Sequence, residues 1–304
     1  MNTPSLRNTG PEAPPRTQAS TSERPGYFVA GDGPTVVLLH SSLGSKMQWS
    51  ALAERLVRYR VIAIDLCGYG DNALPARTTS FSLDDEVRLV HVRLERLVPA
   101  GTPVHVVGHS YGGLVALRLA QSQRVPVASL ALFEPVAFAL LRGDAAALAE
   151  VRRIMALVSR LVAAGHRYEA AQTFVDFWSG AGAFSSLPLP TQASLTRRVD
   201  KLPLDFRAAC SWPVDPDELR AIVAPTLLLT GQRSPNVVQR IHRVLMRMLP
   251  HTRIATFDCG HMGPVTDAHR INPWIEAFVE ACAGHDAAPL EAAPGLRGIA
   301  CNAQ

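Results

Sequence analysis

The stretch VHVVGHSYGGLVALRLA at residues 104–120 joins a strand pattern to a helix pattern through a glycine-flanked serine. The apolar run at 104–107 is typical of a buried strand, and the residues from Leu114 onward have helical composition. Between them lies the Gly-x-Ser-x-Gly turn Gly108-His109-Ser110-Tyr111-Gly112. A serine at so sharp a turn is strained, so the residues two positions to either side must lack a Cβ. The turn is predicted to lift the Ser110 hydroxyl above the sheet edge, beside the amide of Tyr111.

Two other segments carry groups that a reactive serine needs. A predicted buried strand at 34–39 ends in the polar turn His40-Ser41-Ser42-Leu43-Gly44. A second predicted strand, at 252–257, leads to Cys259-Gly260-His261-Met262-Gly263-Pro264. In the chain, Ser110 comes well before His261, which lies near the far end of the sequence. The sequence therefore offers a nucleophile, a base and a set of backbone donors.

This combination resembles the α/β-hydrolase superfamily, in which a strand, a Gly-x-Ser-x-Gly turn and a helix form the nucleophile elbow. The resemblance implies that Ser110 is the nucleophile and His261 the general base, in the family's chain order. It also implies an oxyanion hole made by the backbone amide of Tyr111 and that of Ser41 or Ser42. Ser41 stands where the family usually has glycine, so the resemblance leaves these two amides as alternatives.

The acid of the expected triad stands at a less usual position. The family's common site follows the strand at 225–230, but residues 231–236 hold no carboxylate. Glu134 instead follows the strand at 129–133, which matches the family's sixth strand and its alternative acid position. A carboxylate at the buried end of a strand is costly unless paired, and an imidazolium is a suitable partner. We therefore expect Glu134 to be the acid.

Two alternatives to Glu134 stay open at this point. Asp258 is the first carboxylate after the common site, but it is too close in sequence to His261 for an easy approach to Nδ1. A serine–histidine dyad, or another group, is the second alternative. Nearby, Ser234 followed by Pro235 is predicted to be the N-cap of a helix that runs towards Leu249.

The fold class expected from the whole chain is α/β. Apolar strands alternate with amphipathic helices, which predicts a mostly parallel, doubly wound sheet. The resemblance specifies this as the α/β-hydrolase fold with a helical cap inserted after the sixth strand. The predicted strands lie near residues 27–30 (antiparallel), 35–39, 61–65, 104–108, 129–133, 225–230 and 252–257.

The predicted domain boundaries lie where the alternation of strands and helices stops. Residues 25–135 and 223–282 are expected to form the hydrolase core, and 136–222 the helical cap. The first 24 residues contain no apolar run, and the segment 283–304 is rich in Ala, Gly and Pro. Both tails are therefore predicted to be disordered.

The cap contains aromatic residues that could line a substrate pocket. Phe138, Trp178 and Trp212 are the candidates for substrate contact, although for any single aromatic residue the core of the cap is the favoured location. His40 and His109 flank the expected oxyanion loop and elbow. By resemblance, these two histidines are expected to support the site by packing and hydrogen bonding rather than to react.

Composition excludes several classes of function. The net charge is +4, and the arginines are scattered without a basic stripe, so we expect no nucleic-acid partner. The absence of a signal peptide or a spanning apolar segment predicts no membrane partner. The five cysteines are dispersed, which favours reduced thiols and a cytoplasmic location. There is no pattern for a metal or cofactor, and the expected partner is a small-molecule acyl substrate.

The expected function is a carboxylesterase-like serine hydrolase that cleaves a small carboxylic ester through an acyl-enzyme. The same machinery would act on a thioester, a lactone or a carbon–carbon substrate, and the fold cannot choose among them. Within catalysis, the alternatives are an acyltransferase or a cofactor-free perhydrolase. An alternative of another class is a non-catalytic ligand receptor on a hydrolase scaffold.

Overall fold

The computed structural model describes residues 25–284. The predicted tail at 1–24 lies outside the described residues. Of the predicted C-terminal tail at 283–304, residues 285–304 also lie outside them, whereas Ala283 is the last residue of a helix. Within the described part, seven strands form one sheet in the order β1-β3-β2-β4-β5-β6-β7. The strands are β1 (Tyr27–Ala30), β2 (Thr35–Leu39), β3 (Arg60–Ile64), β4 (Val104–His109), β5 (Val127–Phe133), β6 (Thr226–Gly231) and β7 (Thr252–Phe257). Only β1 is antiparallel to its neighbour, so the prediction of a mostly parallel sheet is confirmed.

Helices fill the connections between the strands. The described helices are α1 (Ser50–Ala53), α2 (Leu83–Leu97), α3 (Tyr111–Gln121), α4 (Ala145–Ala163), α5 (Arg167–Ser179), α6 (Leu189–Thr196), α7 (Leu202–Ser211), α8 (Pro216–Arg220), α9 (Asn236–Met248), α10 (Gly263–Thr266) and α11 (Ala268–Ala283). Short 3-10 helices precede α1, α4 and α7. No helix in the described residues is both long and apolar enough to cross a membrane.

The two faces of the sheet are covered by different helices. Side chains alternate along a strand, so neighbouring residues face opposite layers. On β2, Val37 and Leu39 pack into a layer with α2, α3 and α9, whereas Val36 and Leu38 pack with α1 and α11. Because both faces are buried, the strand is apolar throughout rather than alternating.

The strand order places the site. From β2 the chain moves outward to β3 and then crosses back to β4 on the other side of β2. Such a reversal leaves a crevice at the carboxyl ends of β2 and β4, where ligands bind in open α/β sheets. The loop after β2 and the turn after β4 therefore meet at this edge.

Five helices, α4 to α8, lie between β5 and β6. The strand that matches the family's sixth is thus the fifth of the seven strands in the described residues. Apolar side chains of α4 and α7, among them Val151, Val158 and Phe206, belong to the same buried cluster as Val37. We call residues 136–222 the cap, and its apolar interior is continuous with one layer of the core.

Candidate active site

Ser110 sits at a strained turn between β4 and α3. Its backbone has φ 56° and ψ −115°, in the region that favours glycine. A Cβ at Gly112 would lie 2.4 Å from the carbonyl oxygens of both Leu39 and His40, and one at Gly108 would lie 2.6 Å from the carbonyl oxygen of Gly112. These positions therefore need glycine for close packing, as the Gly-x-Ser-x-Gly pattern predicts.

His261 reaches the serine from the loop that follows β7. Its Nε2 atom lies 2.9 Å from Oγ of Ser110, although the two residues are 151 positions apart in the chain. Both side chains are buried. A hydrogen bond of this length lets the imidazole accept the hydroxyl proton.

Glu134 holds the other side of the imidazole. It follows β5, has a left-handed backbone with φ 45°, and is 1% exposed. Its Oε2 lies 2.6 Å from Nδ1 of His261, and its Oε1 accepts hydrogen bonds from the Gly231 N–H at 2.7 Å and the Thr230 hydroxyl at 2.9 Å. Since an ionised carboxylate only accepts, Nδ1 carries the proton and Nε2 is free to accept from the serine.

The environment of Glu134 favours its ionised form. Burial alone would raise the pKa of this carboxyl group. The hydrogen bond and the charge of His261, the Gly231 N–H and the Ser234 hydroxyl outweigh burial, so the pKa lies below its usual value. The Glu134 carboxylate is therefore charged at neutral pH and can stabilise an imidazolium.

The structure separates the alternative acid from the histidine. Asp258 is exposed and forms a salt bridge with Arg233, 2.7 Å away.

The predicted helix cap at Ser234 is wrong, because α9 begins at Asn236 and Pro235 occupies the N-cap position. The Ser234 side chain is instead buried beside Glu134.

The oxyanion loop, residues 41–44, follows β2. Of its two candidate amides, those of Ser41 and Ser42, one is free of hydrogen bonds. The Ser41 N–H donates to Oε1 of Gln48 at 3.1 Å, so it is already engaged. Within residues 25–284, neither the Ser42 N–H nor the Tyr111 N–H has a hydrogen-bond acceptor. The Tyr111 amide also begins α3, where the helix dipole favours negative charge. Ser42 and Tyr111 are therefore the pair available to an oxyanion.

His40 and His109 are fixed as neutral side chains. Burial lowers the pKa of His40 to about 4, and its Nε2 accepts from the Leu66 N–H at 3.0 Å. Burial also holds the pKa of His109 well below its usual value. Its Nε2 donates to the carbonyl oxygen of His261 at 2.8 Å, which anchors the backbone of the histidine loop.

Gln48 connects these two parts of the site, and no sequence motif predicts this role. Its Oε1 accepts from the N–H and the hydroxyl of Ser41, and its Nε2 donates to Nδ1 of His109 at 3.2 Å. One amide side chain thus links the oxyanion loop to the residue that holds His261. A single glutamine in a short 3-10 helix has no pattern that predicts such a contact.

A cavity of about 640 Å³ opens above Ser110, between the cap and the sheet edge. Trp178 of α5 lines it and stacks on His261, with ring centroids 4.2 Å apart. Among the described residues that line it, Arg198 is the one arginine or lysine. The rest is mostly apolar or small, including Leu43, Phe174, Val175, Ala183, Leu187, Pro190, Leu195, Met262 and Val265.

The three aromatic candidates differ in position. Trp178 lines this cavity, and Phe138 lines a smaller space beside Ser110 and Trp178. Trp212 lines neither, and its expected place in the pocket is wrong. Its indole is buried against α3, where Nε1 donates to Oε1 of Gln121 at 3.1 Å. The sequence could not distinguish the location of Trp178 from that of Trp212, because both are apolar residues of the cap and both indoles are buried.

No metal site accompanies this arrangement in the described residues, where no group of three or more His, Cys, Asp or Glu side chains could hold an ion. A buried hydroxyl, an oriented imidazole, a charged carboxylate and two free amides meet at the floor of an apolar cavity.

The family model and the similar proteins described below agree on the alpha/beta hydrolase family. The model described as the Alpha/beta hydrolase family matches residues 36–274. Lipase LipV of Mycobacterium tuberculosis is 29% identical over 249 residues, covering 76% of this chain and 88% of that protein. The magnesium-chelatase 30 kDa subunit of Rhodobacter capsulatus is 29% identical over 243 residues, covering 76% and 81%. The crystal structure of a hydrolase from Pseudomonas aeruginosa PA01 has a TM-score of 0.68 at 21% identity, covering 84% and 94%.

Proposed function

Because the chain belongs to the alpha/beta hydrolase family, we propose that it is a serine hydrolase that cleaves a carboxylic ester through an acyl-enzyme on Ser110. The comparisons support hydrolase activity in general. The observation that carries the finer proposal is the hydrogen-bonded series from Ser110 through His261 to Glu134, buried at the floor of the cavity.

In the first step, Oγ of Ser110 attacks the ester carbonyl carbon while Nε2 of His261 takes the hydroxyl proton. The carbonyl oxygen becomes an oxyanion, which accepts hydrogen bonds from the amides of Ser42 and Tyr111. The imidazolium that forms is stabilised by the charged carboxylate of Glu134.

The tetrahedral intermediate then collapses. The C–O bond to the alcohol breaks, and His261 gives its proton from Nε2 to the leaving oxygen. A water molecule next attacks the acyl-enzyme, with His261 accepting one of its protons. Collapse of the second intermediate returns this proton to Oγ of Ser110 and releases the carboxylic acid.

The cavity lining supports a substrate with an apolar part. Its volume of about 640 Å³ is in the range of small-molecule sites, and ten apolar side chains line it, Phe174 and Trp178 among them. The two curated relatives are equally similar to this chain but are named for different activities. The substrate class is therefore argued from the cavity and not from the relatives.

The test is covalent labelling of the protein with a fluorophosphonate, followed by intact mass and peptide mapping. We expect one adduct on Ser110, and hydrolysis of p-nitrophenyl esters that depends on acyl length. Ser110→Ala removes both signals. The matched control is Ser186→Ala, which changes an exposed serine of the cap outside the cavity lining and keeps both signals.

An unlabelled wild-type protein without ester turnover would overturn the proposal. Saturable ester binding without turnover would then favour the non-catalytic receptor. Label that persists in Ser110→Ala would refute the nucleophile while leaving hydrolase activity open to another residue.

A further inference from the structure

Two side chains of one cap segment, Asp205 and Arg198, contact the oxyanion loop. Asp205 of α7 accepts a hydrogen bond from the Ser42 hydroxyl, with 2.6 Å between Oδ2 and Oγ. Arg198 donates from one guanidinium nitrogen to the carbonyl oxygens of Leu43 and Gly44, at 2.9 Å and 3.3 Å. The loop that carries the free Ser42 amide is thus held from the cap side at three consecutive residues.

Lys201, between these two residues, anchors the same segment to the core. Its ammonium group is 0% exposed, lies 2.7 Å from Oε1 of Glu86 on α2, and also bonds to Asp205. Burial would lower the pKa of Lys201, but the carboxylates of Asp205 and Glu86 raise it above its usual range. A charged lysine between two carboxylates therefore ties Asp205 to a helix of the hydrolase core.

Asp205 has a third donor that limits its movement. The hydroxyl of Tyr69 donates to the same Oδ2 at 2.5 Å. Both carboxylate oxygens of Asp205 are therefore engaged, and the residue is 3% exposed. A carboxylate held in this way presents a fixed acceptor to Ser42.

The oxyanion loop is strained and needs such support. Leu43 has φ 61°, a left-handed conformation that costs free energy in a residue other than glycine. Strained backbone of this kind persists only where the surroundings over-determine it. Because Leu43 directly follows Ser42, relaxation of this turn would move the Ser42 amide.

We propose that Asp205 is a positioning residue for the oxyanion hole, acting from the cap through the Ser42 hydroxyl on the Ser42 amide. Arg198 and Lys201 complete the support, so that correct seating of the cap and assembly of the oxyanion hole are coupled. The inference rests on the proposed serine hydrolase function. A displacement of about 1 Å at a catalytic centre can lower the rate by about 100-fold, so the effect should be measurable.

The test uses Ser42→Ala and Asp205→Asn in the full chain. Ser42→Ala removes the hydroxyl but keeps the amide, whereas Asp205→Asn keeps an acceptor but loses the charge beside Lys201. For each variant, kcat and KM are measured with one p-nitrophenyl ester. The Ki of a trifluoromethyl ketone is also measured, because its adduct with Ser110 places an oxyanion in the hole.

We expect each single variant to lower kcat by about tenfold or more and to raise the trifluoromethyl ketone Ki by a similar factor. KM should change by less than about twofold, because ground-state binding does not use the hole. The double variant should lose less than the product of the two single losses, since both changes act on one contact. A purely structural role of Asp205 would not move kcat and Ki together.

The matched control is Asp200→Asn, which removes a carboxylate from the same segment. Asp200 pairs with Arg167 on the cap surface, and no contact joins it to the oxyanion loop. This variant should keep the kcat and Ki of the wild-type protein.

Two outcomes would count against the inference, and they are distinguishable. Wild-type ester turnover with unchanged kcat and Ki in Ser42→Ala overturns the inference alone, even if Asp205→Asn fails to fold. Absence of turnover and of a Ser110 adduct in the wild-type protein overturns the proposed function, and this inference with it.

Discussion

The sheet side and the cap side of the site are built in different ways. On the sheet side, Ser110, Glu134 and His261 stand at the carboxyl ends of β4, β5 and β7, where parallel strands bring loops together. On the cap side, Trp178 and Asp205 are placed only by the packing of helices. The sheet side therefore carries the groups proposed to react, whereas the cap side is proposed to surround the substrate and to position the oxyanion loop. Substitutions on the two sides should differ in kind as well as in size.

The largest effect is expected for His261→Ala, on the sheet side. Among the described residues, the imidazole is the one group hydrogen-bonded to the Ser110 hydroxyl, so kcat should fall by about 10⁶-fold without it. Circular dichroism should be unchanged. His91→Ala, a histidine on α2 that pairs with Glu95, is the control and should keep full activity. Residual turnover above about one part in a hundred would show that another base operates.

A smaller loss is expected for Glu134→Gln, which keeps the size of the side chain but removes its charge. The imidazolium loses its partner and the tautomer is no longer fixed, so kcat should fall by about 10⁴-fold. Asp258→Asn is the matched control, because this exposed acid contacts Arg233 and not the histidine. Equal losses in the two variants would contradict the assignment of the acid.

On the cap side, Trp178→Ala should act mainly on binding. Loss of the indole that lines the cavity should raise KM by about tenfold for esters with a bulky acyl group, with a smaller change in kcat. The control is Trp212→Phe, which should leave KM unchanged and lower the free energy of unfolding by about 1 kcal/mol through the lost bond to Gln121. A kcat loss in Trp178→Ala as large as that in Glu134→Gln would remove the distinction between the two sides.

The smallest effect concerns stability in acid. The pKa of Glu134 is lowered in the folded state, so its ionised form stabilises the fold above the unfolded pKa of about 4.3. This stabilisation is lost as the pH falls through the lower, folded pKa. Between roughly pH 6 and pH 3, the unfolding free energy should therefore fall less steeply in Glu134→Gln than in the wild-type protein. Urea unfolding at several pH values measures this, and parallel curves would contradict it.

Much of the sheet side was accessible from the sequence. Buried parallel strands are short apolar runs, and β2, β4 and β6 were predicted within one or two residues of their observed bounds. The strained turn at Ser110 could be anticipated because Gly108 and Gly112 mark where no Cβ fits. The reactive roles of Ser110, His261 and Glu134 stay predictions, although the three side chains lie within hydrogen-bond distance of one another in series.

Most contacts on the cap side could not be predicted from the sequence. Ser42 and Asp205 are 163 positions apart, and no periodicity or motif relates them. Trp178 and Trp212 are equally apolar in the sequence, yet only one lies at the cavity. Gln48 and Arg198 act through hydrogen bonds whose partners depend on how the loops fold.

The sequence by itself determined the parallel sheet, the strained serine turn and the identity of the residues at the strand ends. These features depend on local backbone sterics and on which side chains can be buried. Short segments of the sequence determine both. Only the tertiary structure decided that Ser42 has the free amide, that Trp212 faces away from the cavity, and that Asp205 reaches the oxyanion loop. Such contacts arise from the packing of distant segments, where small shifts of a helix decide which polar groups meet.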